Sequence, residues 1–140
     1  MTEARTQAST ASVDEYLQSR ASGPLLADAQ ALLTLMARVS AEPAVMWGPS
    51  IVGFGRYRYP LAGGKRTGEA CRTGFAIRGR ELVVYLIAEG TEQLALLERL
   101  GPHRMGKACL YFKGLAPVDT GVLETLIRDS LAELGRRFPD

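Results

Sequence analysis

Apolar positions along the chain fall into two rhythms, and each predicts a set of elements. Val13, Tyr16 and Leu17 share one face of a short helix. It opens on Ser12, whose hydroxyl can accept the backbone N–H three residues on while Glu15 reaches back, a capping box. Leu25, Ala29, Leu32, Leu33 and Met36 follow the i, i+4, i+7, i+8, i+11 stripe of a second helix. That helix starts at Gly23-Pro24, where the fixed φ of proline suits the first helical position, and must end before Pro43. A third helix runs from Thr91 through Leu94, Leu97 and Leu100 and stops at Gly101-Pro102. The last helix is capped by Asp119, with Val118 and Leu123 as a hydrophobic staple. Its stripe is Leu123, Leu126, Ile127, Leu131 and Leu134, and Glu124–Arg128 and Glu133–Arg137 are favourable i, i+4 pairs.

The second rhythm has a period of two. Gly79-Arg80 fits a two-residue hairpin turn with φ > 0 at its first position. That register pairs Arg78 with Glu81, Ile77 with Leu82, Phe75 with Val84 and Thr73 with Leu86. Phe75, Ile77, Leu82, Val84 and Leu86 then form a core face, while Tyr85 lies opposite Gly74, where its ring can cover the bare glycine. Val83 and Ile87 also point that way, so this strand reads as central and covered on both sides. Ala108 to Lys113 alternates Leu110 and Phe112 with Cys109 and Tyr111. Ile51 to Tyr59 is a further strand, with Gly53, Gly55, Tyr57 and Tyr59 on one face and Val52, Phe54, Arg56 and Arg58 on the other. Leu61 to Glu69, with three glycines, is a flexible connection. The predicted order is α-α-β-β-β-α-β-α: an α+β domain whose largely antiparallel sheet, of about four or more strands, is covered by helices. Residues 1–11 form a polar, loosely ordered tail, and 12–140 form a single domain.

Two glycines on one strand face imply that another group lies close to the backbone there. They admit two readings: internal packing, with the single tryptophan, Trp47, or a helix over the bare strip; or a ligand groove beside an aromatic and arginine rim.

Composition narrows the class. A chain of 140 residues can bury a full core without metal or disulfide. Cys71 and Cys109 sit in apolar strand-like runs and read as two reduced, buried thiols of a cytoplasmic protein. No apolar run reaches the roughly 18 residues needed to span a membrane, and the first residues lack the apolar core of a secretion signal. The net charge of +2 hides a positive middle: residues 51–115 hold eleven Lys/Arg against five Asp/Glu. Such a balance suits a small anionic molecule. With no basic run longer than two residues, nucleic acid is not the expected partner.

Gly101-Pro102-His103-Arg104-Met105-Gly106-Lys107 has the spacing of a phosphate-binding P-loop, but Ala108 replaces the magnesium-binding hydroxyl. The context is also inverted, since a helix precedes it and a strand follows. A weaker version remains, in which His103, Arg104 and Lys107 with the Gly106 backbone hold one anion. His103 is the single histidine, and Ser50 in Gly48-Pro49-Ser50-Ile51-Val52 does not make a nucleophile elbow. The one adjacent acidic pair, Asp14-Glu15, is accounted for by helix capping. No catalytic residue is assigned.

Met46-Trp47-Gly48-Pro49-Ser50-Ile51-Val52-Gly53-Phe54-Gly55 and Leu100 through Phe112, with Gly74-Phe75, Leu82 to Leu86 and the Val118-Asp119 helix start, resemble the YdhG-like family of small bacterial domains of unknown function. The resemblance covers residues 12–135 and implies a compact α+β domain with no catalytic residues to carry over. Some members are described as frataxin-like iron chaperones, which hold iron on an acidic ridge near the first helix. Here that region offers Asp14 and Glu15, with Glu3 on the tail and Arg5 and Arg20 nearby.

The expected function is therefore a non-enzymatic binding or accessory domain. Its small-anion groove is expected where Trp47, Tyr57, Tyr59 and the Gly63-Gly64 loop approach His103, Arg104 and Lys107. The alternatives are a frataxin-like iron chaperone, with iron on Asp14 and Glu15 as its cofactor, and an enzyme whose residues converge only in three dimensions. A homodimer is left open.

Overall fold

A computed structural model describes residues 8–61, 63, 64 and 66–139. The helices begin where their caps predict. In α1 (Val13–Arg20) the Ser12 hydroxyl accepts from the Glu15 N–H at 3.1 Å. In α4 (Thr120–Arg137) Asp119 accepts from the Val122 N–H at 3.1 Å. α2 (Gly23–Ser40) carries Pro24 in its first turn and ends at Ala41 in the left-handed conformation, with Pro43 beyond. α3 (Thr91–Leu100) buries Leu97 and Leu100 but leaves Leu94 55% exposed, so Leu94 is not part of the predicted stripe.

The strands are β1 (Ala44–Trp47), β2 (Ile51–Phe54), β3 (Tyr57–Pro60), β4 (Thr67–Ala70), β5 (Thr73–Arg78), β6 (Glu81–Tyr85), β7 (Arg104–Met105) and β8 (Cys109–Phe112). Six of them form an antiparallel sheet in the order β1-β2-β5-β6-β8-β7, and β3 pairs with β4. This is the predicted α+β architecture, with the helices and strand blocks in the predicted order. The Trp47 stretch is itself a strand, and the Ile51–Tyr59 strand is broken in two. The break falls at Gly55, whose φ of 73° suits a residue without Cβ. Pairing keeps one register across it: Phe54 faces Thr73 on one side and Tyr57 faces Ala70 on the other. β3–β4 is thus the outer arm of a single ribbon.

The β5–β6 hairpin pairs Arg78 with Glu81, Ile77 with Leu82 and Phe75 with Val84 as predicted, around Gly79 at φ 62°. Phe54, Phe75, Ile77, Leu82, Val84, Leu110 and Phe112 join Leu32, Met36, Leu123, Leu126 and Ile127 in one core cluster. The helices therefore pack on one sheet face. Trp47, Ala76 and Val83 are also buried, yet lie outside that cluster, on the other face. β6 is central, as predicted, and Val83 on its second face is fully buried.

One hydroxyl joins the layers. Extending the β2–β5 register places Ser50 opposite Ile77. There the Tyr16 hydroxyl donates to the Ser50 carbonyl at 2.8 Å and accepts from the Ile77 N–H at 3.0 Å. A helix side chain thus stands in for one rung of the sheet ladder.

Of the tail, residues 1–7 lie outside the described residues. Ala8 bridges to Trp47, and the Ser9 N–H donates to the Met46 carbonyl at 2.9 Å. Residues 8 and 9 therefore belong to the sheet edge instead of a loose tail.

Candidate functional site

Trp47 is 2% exposed and lies directly over Gly53. A Cβ on Gly53 would meet the indole, and would come within 2.7 Å of the Cys71 Cβ. A Cβ on Gly74 would lie 2.7 Å from the Val52 carbonyl oxygen and 3.3 Å from the Cys71 Sγ. Packing is thus the account that holds for this strip. It is Cys71, not the Tyr85 ring, that lies against Gly74, and the Tyr85 hydroxyl accepts from Arg78 at 2.7 Å. Burial pushes the Cys71 thiol up to about 11, with backbone hydrogen bonds opposing it. Such a thiol is inert at neutral pH.

Tyr57 and Tyr59 sit on the outer arm. The Tyr59 ring covers Gly68, where an added Cβ would come within 2.6 Å, and Tyr57 packs on Phe138 with centroids 5.0 Å apart. Burial raises the Tyr57 phenol above its ordinary value, with Tyr59 adding to the shift. An arginine rim does exist here. Arg56 and Arg72 border a cleft of about 240 Å³ beside Trp47 and another of about 290 Å³ beside Tyr57.

The structure does not bring these aromatics to the basic residues expected to complete the groove. Trp47 and Arg104 lie on opposite edge strands, five strand spacings or roughly 24 Å apart. The Gly63-Gly64 loop is outside the sheet altogether, at the tip of the arm, and its neighbours Ala62 and Lys65 lie outside the described residues. Nor is the P-loop-like segment free to hold an anion. The Gly106 N–H donates to the Cys109 carbonyl at 2.8 Å, and the His103 Nδ1 lies 2.8 Å from the Gly101 carbonyl. Arg104 donates to Glu81 at 2.6 Å, with its guanidinium 3.9 Å from the Tyr111 ring centroid. Lys107 is exposed. The predicted six-residue groove of Trp47, Tyr57, Tyr59, His103, Arg104 and Lys107 is therefore not assembled.

Asp14 and Glu15 are exposed on the first turn of α1. Among the described residues no group of three or more His, Cys, Asp or Glu is placed to hold a metal ion. The acidic ridge that an iron chaperone would need is absent from these residues, and Glu3 lies outside them.

A further groove lies at the corner where α1 turns into α2 beside the β5–β6 hairpin, and has a volume of about 740 Å³. α1 ends at Arg20 because Ala21 is extended and Ser22-Gly23-Pro24 follow; Ser22 makes no side-chain capping bond to α2. The Gly79 turn projects Arg80, and Lys113 leaves the end of β8. Arg20, Arg80 and Lys113 all line the groove, all are exposed, and none pairs with a carboxylate among the described residues. Arg38, Arg56, Arg58, Arg128, Arg136 and Arg137 each do. A second cleft, of about 280 Å³ beside α4, has its charges satisfied internally, through Arg137 to Glu89 and Gln93 to Asp129.

The corner thus gathers three cations that form no ion pair among the described residues around the positive end of an 18-residue helix, Arg20 with its guanidinium 5.4 Å from the Tyr16 ring centroid. Sequence reading missed it. Arg20, Arg80 and Lys113 are far apart in the chain, and no local motif joins them. The positive balance of residues 51–115 was the one signal pointing toward it.

Neither a protein-family model, nor a curated protein, nor a solved structure matches the chain. Among the described residues no helix is long and apolar enough to cross a membrane.

Proposed function

We propose that this protein is a cytoplasmic binding or accessory domain, not an enzyme, and that it holds a small anion in the groove between the α1–α2 corner and the β5–β6 turn. The observation that carries the reading is the set of three cations, Arg20, Arg80 and Lys113, sharing one groove without a carboxylate partner. Three exposed like charges around one groove repel one another, and a bound anion offsets that repulsion. The YdhG-like resemblance supports an accessory role, since it brings no catalytic residues. The chemistry at hand also supports binding over catalysis: the single histidine is bonded to its own turn, and the Cys71 thiol is held protonated.

Calorimetric titration with inorganic phosphate tests the reading. The expected result is binding at low salt that weakens as salt rises. Arg80→Ala is expected to weaken it about fivefold, the worth of one exposed charge pair. An absence of phosphate binding, or equal binding by Arg80→Ala, would overturn the site.

A further inference from the structure

The same groove holds a carboxylate that forms no ion pair with its cations among the described residues. Asp28, on the second turn of α2, lines the groove together with Arg20, Arg80 and Lys113. Its Oδ2 accepts from the Leu115 N–H at 3.0 Å, which fixes the side chain from the far side. Gly114 makes room for it, because a Cβ there would lie 3.0 Å from that same oxygen. The other oxygen accepts no hydrogen bond, and the carboxylate forms no ion pair with the three cations, among the described residues.

A carboxylate that lines one groove with three cations can pair with any of them unless something else holds it. Here one oxygen is anchored to backbone, so the groove keeps an acceptor and three donors as separate subsites. A ligand that is purely anionic meets repulsion from Asp28. One that carries both an anionic group and a hydrogen-bond donor satisfies both subsites at once. The Ser22 hydroxyl, the Ser19 hydroxyl (which donates to the Tyr16 carbonyl at 2.7 Å and so can only accept) and the apolar surfaces of Ala21 and Pro24 complete the lining.

We infer that the groove selects a phosphorylated polyol, with the phosphate on Arg20, Arg80 and Lys113 and a ligand hydroxyl donating to Asp28. This rests on the anion-binding reading above and adds the role of the carboxylate. The ligand becomes a hydroxyl-bearing phosphate ester, not a bare anion.

The test compares glycerol 3-phosphate, n-propyl phosphate and inorganic phosphate by calorimetry, at a pH where each phosphate is a dianion. In the wild-type protein glycerol 3-phosphate is expected to bind about tenfold tighter than propyl phosphate, the worth of one hydrogen bond to a charged group. In Asp28→Asn, whose amide oxygen can still accept from Leu115, that ratio is expected to collapse toward one. Phosphate itself should bind Asp28→Asn at least as tightly as wild type, because the repulsion is gone. Equal binding of the two esters by the wild type overturns the inference while leaving the anion site standing. So does a ratio that survives in Asp28→Asn. Failure of all three ligands to bind the wild type removes the anion site itself. The two-ester comparison needs no variant, so it decides even if Asp28→Asn folds poorly.

Discussion

Around Gly53 the strand face is covered from within the chain by Trp47 and Cys71, whereas the corner between α1, α2 and the β5–β6 turn is left open, with three cations that form no ion pair among the described residues. The first region announces itself in the sequence through a lone tryptophan and closely spaced glycines, because tight packing demands unusual residues. The second is built from three long cations that are unremarkable one by one. Residues that attract notice in a sequence are those that solve a steric problem. A surface that meets a ligand has no such problem to solve before the ligand arrives. If that contrast is right, substitutions in the two regions must fail in different currencies, stability in one and binding in the other.

The largest effect belongs to the closed region. Trp47→Ala removes a side chain that is 2% exposed and that fills the space over Gly53. The expected loss is about 3–5 kcal/mol in denaturant melts, the range for emptying a buried aromatic site. Anion binding by the fraction that remains folded should be unchanged. A loss below about 1 kcal/mol would mean that the indole is a half-open wall and would erase the contrast.

Cys71 sharpens the same region by pH. Its folded thiol is pushed up to about 11, whereas in the unfolded chain it ionises near its ordinary value. Between those values the folded state binds more protons than the unfolded one, so stability falls as pH rises. The stabilisation is complete below the unfolded value and is lost as pH climbs through the folded one. Over that window the loss is on the order of 3 kcal/mol, at 1.36 kcal/mol per unit. Melts across the alkaline range should show it in wild type and a flatter profile in Cys71→Ala. The thiol should also resist a thiol reagent at neutral pH. Rapid labelling there would show that the strip is open.

The boundary between the regions runs through Tyr16, whose hydroxyl bridges Ser50 and Ile77 while its ring lies under the Arg20 guanidinium, 5.4 Å from the ring centroid. Tyr16→Phe leaves the half-buried Ser50 carbonyl and the buried Ile77 N–H without their partner, which costs about 1–3 kcal/mol. Because α1 carries Arg20 into the groove, a modest weakening of anion binding is expected as well. A variant as stable as wild type would mean that Ser50 and Ile77 close directly on each other.

Much of the fold was legible, and the limit is instructive. The caps at Ser12 and Asp119 and the turn at Gly79 are local chemistry, so their hydrogen bonds and φ could be read from a few adjacent residues. The hairpin register followed from that turn. The break at Gly55 was not legible, because a glycine at φ 73° and one in an extended strand are the same letter. The expected site failed for a topological reason. Trp47 and Arg104 were joined on chemical character alone, and strand order, which puts them on opposite edges, is set by long-range pairing. The Tyr16 bridge escaped for a similar reason: a tyrosine on an apolar helix face carries no mark of where its hydroxyl ends.

The smallest expected effect on stability is also the most discriminating. Arg80 sits at an exposed hairpin turn and makes no ion pair among the described residues. Arg80→Ala should therefore change stability by less than about 0.5 kcal/mol. The same variant is expected to lose most of a phosphate affinity that Trp47→Ala leaves intact, since the cation contributes only through the ligand. Paired measurements of melting and phosphate titration on these two variants give a crossed pattern if packing and binding are separate regions. Arg80→Ala that is destabilised but binds normally would invert the pattern. The cation would then belong to the fold, and the groove would lose the charge that defines it.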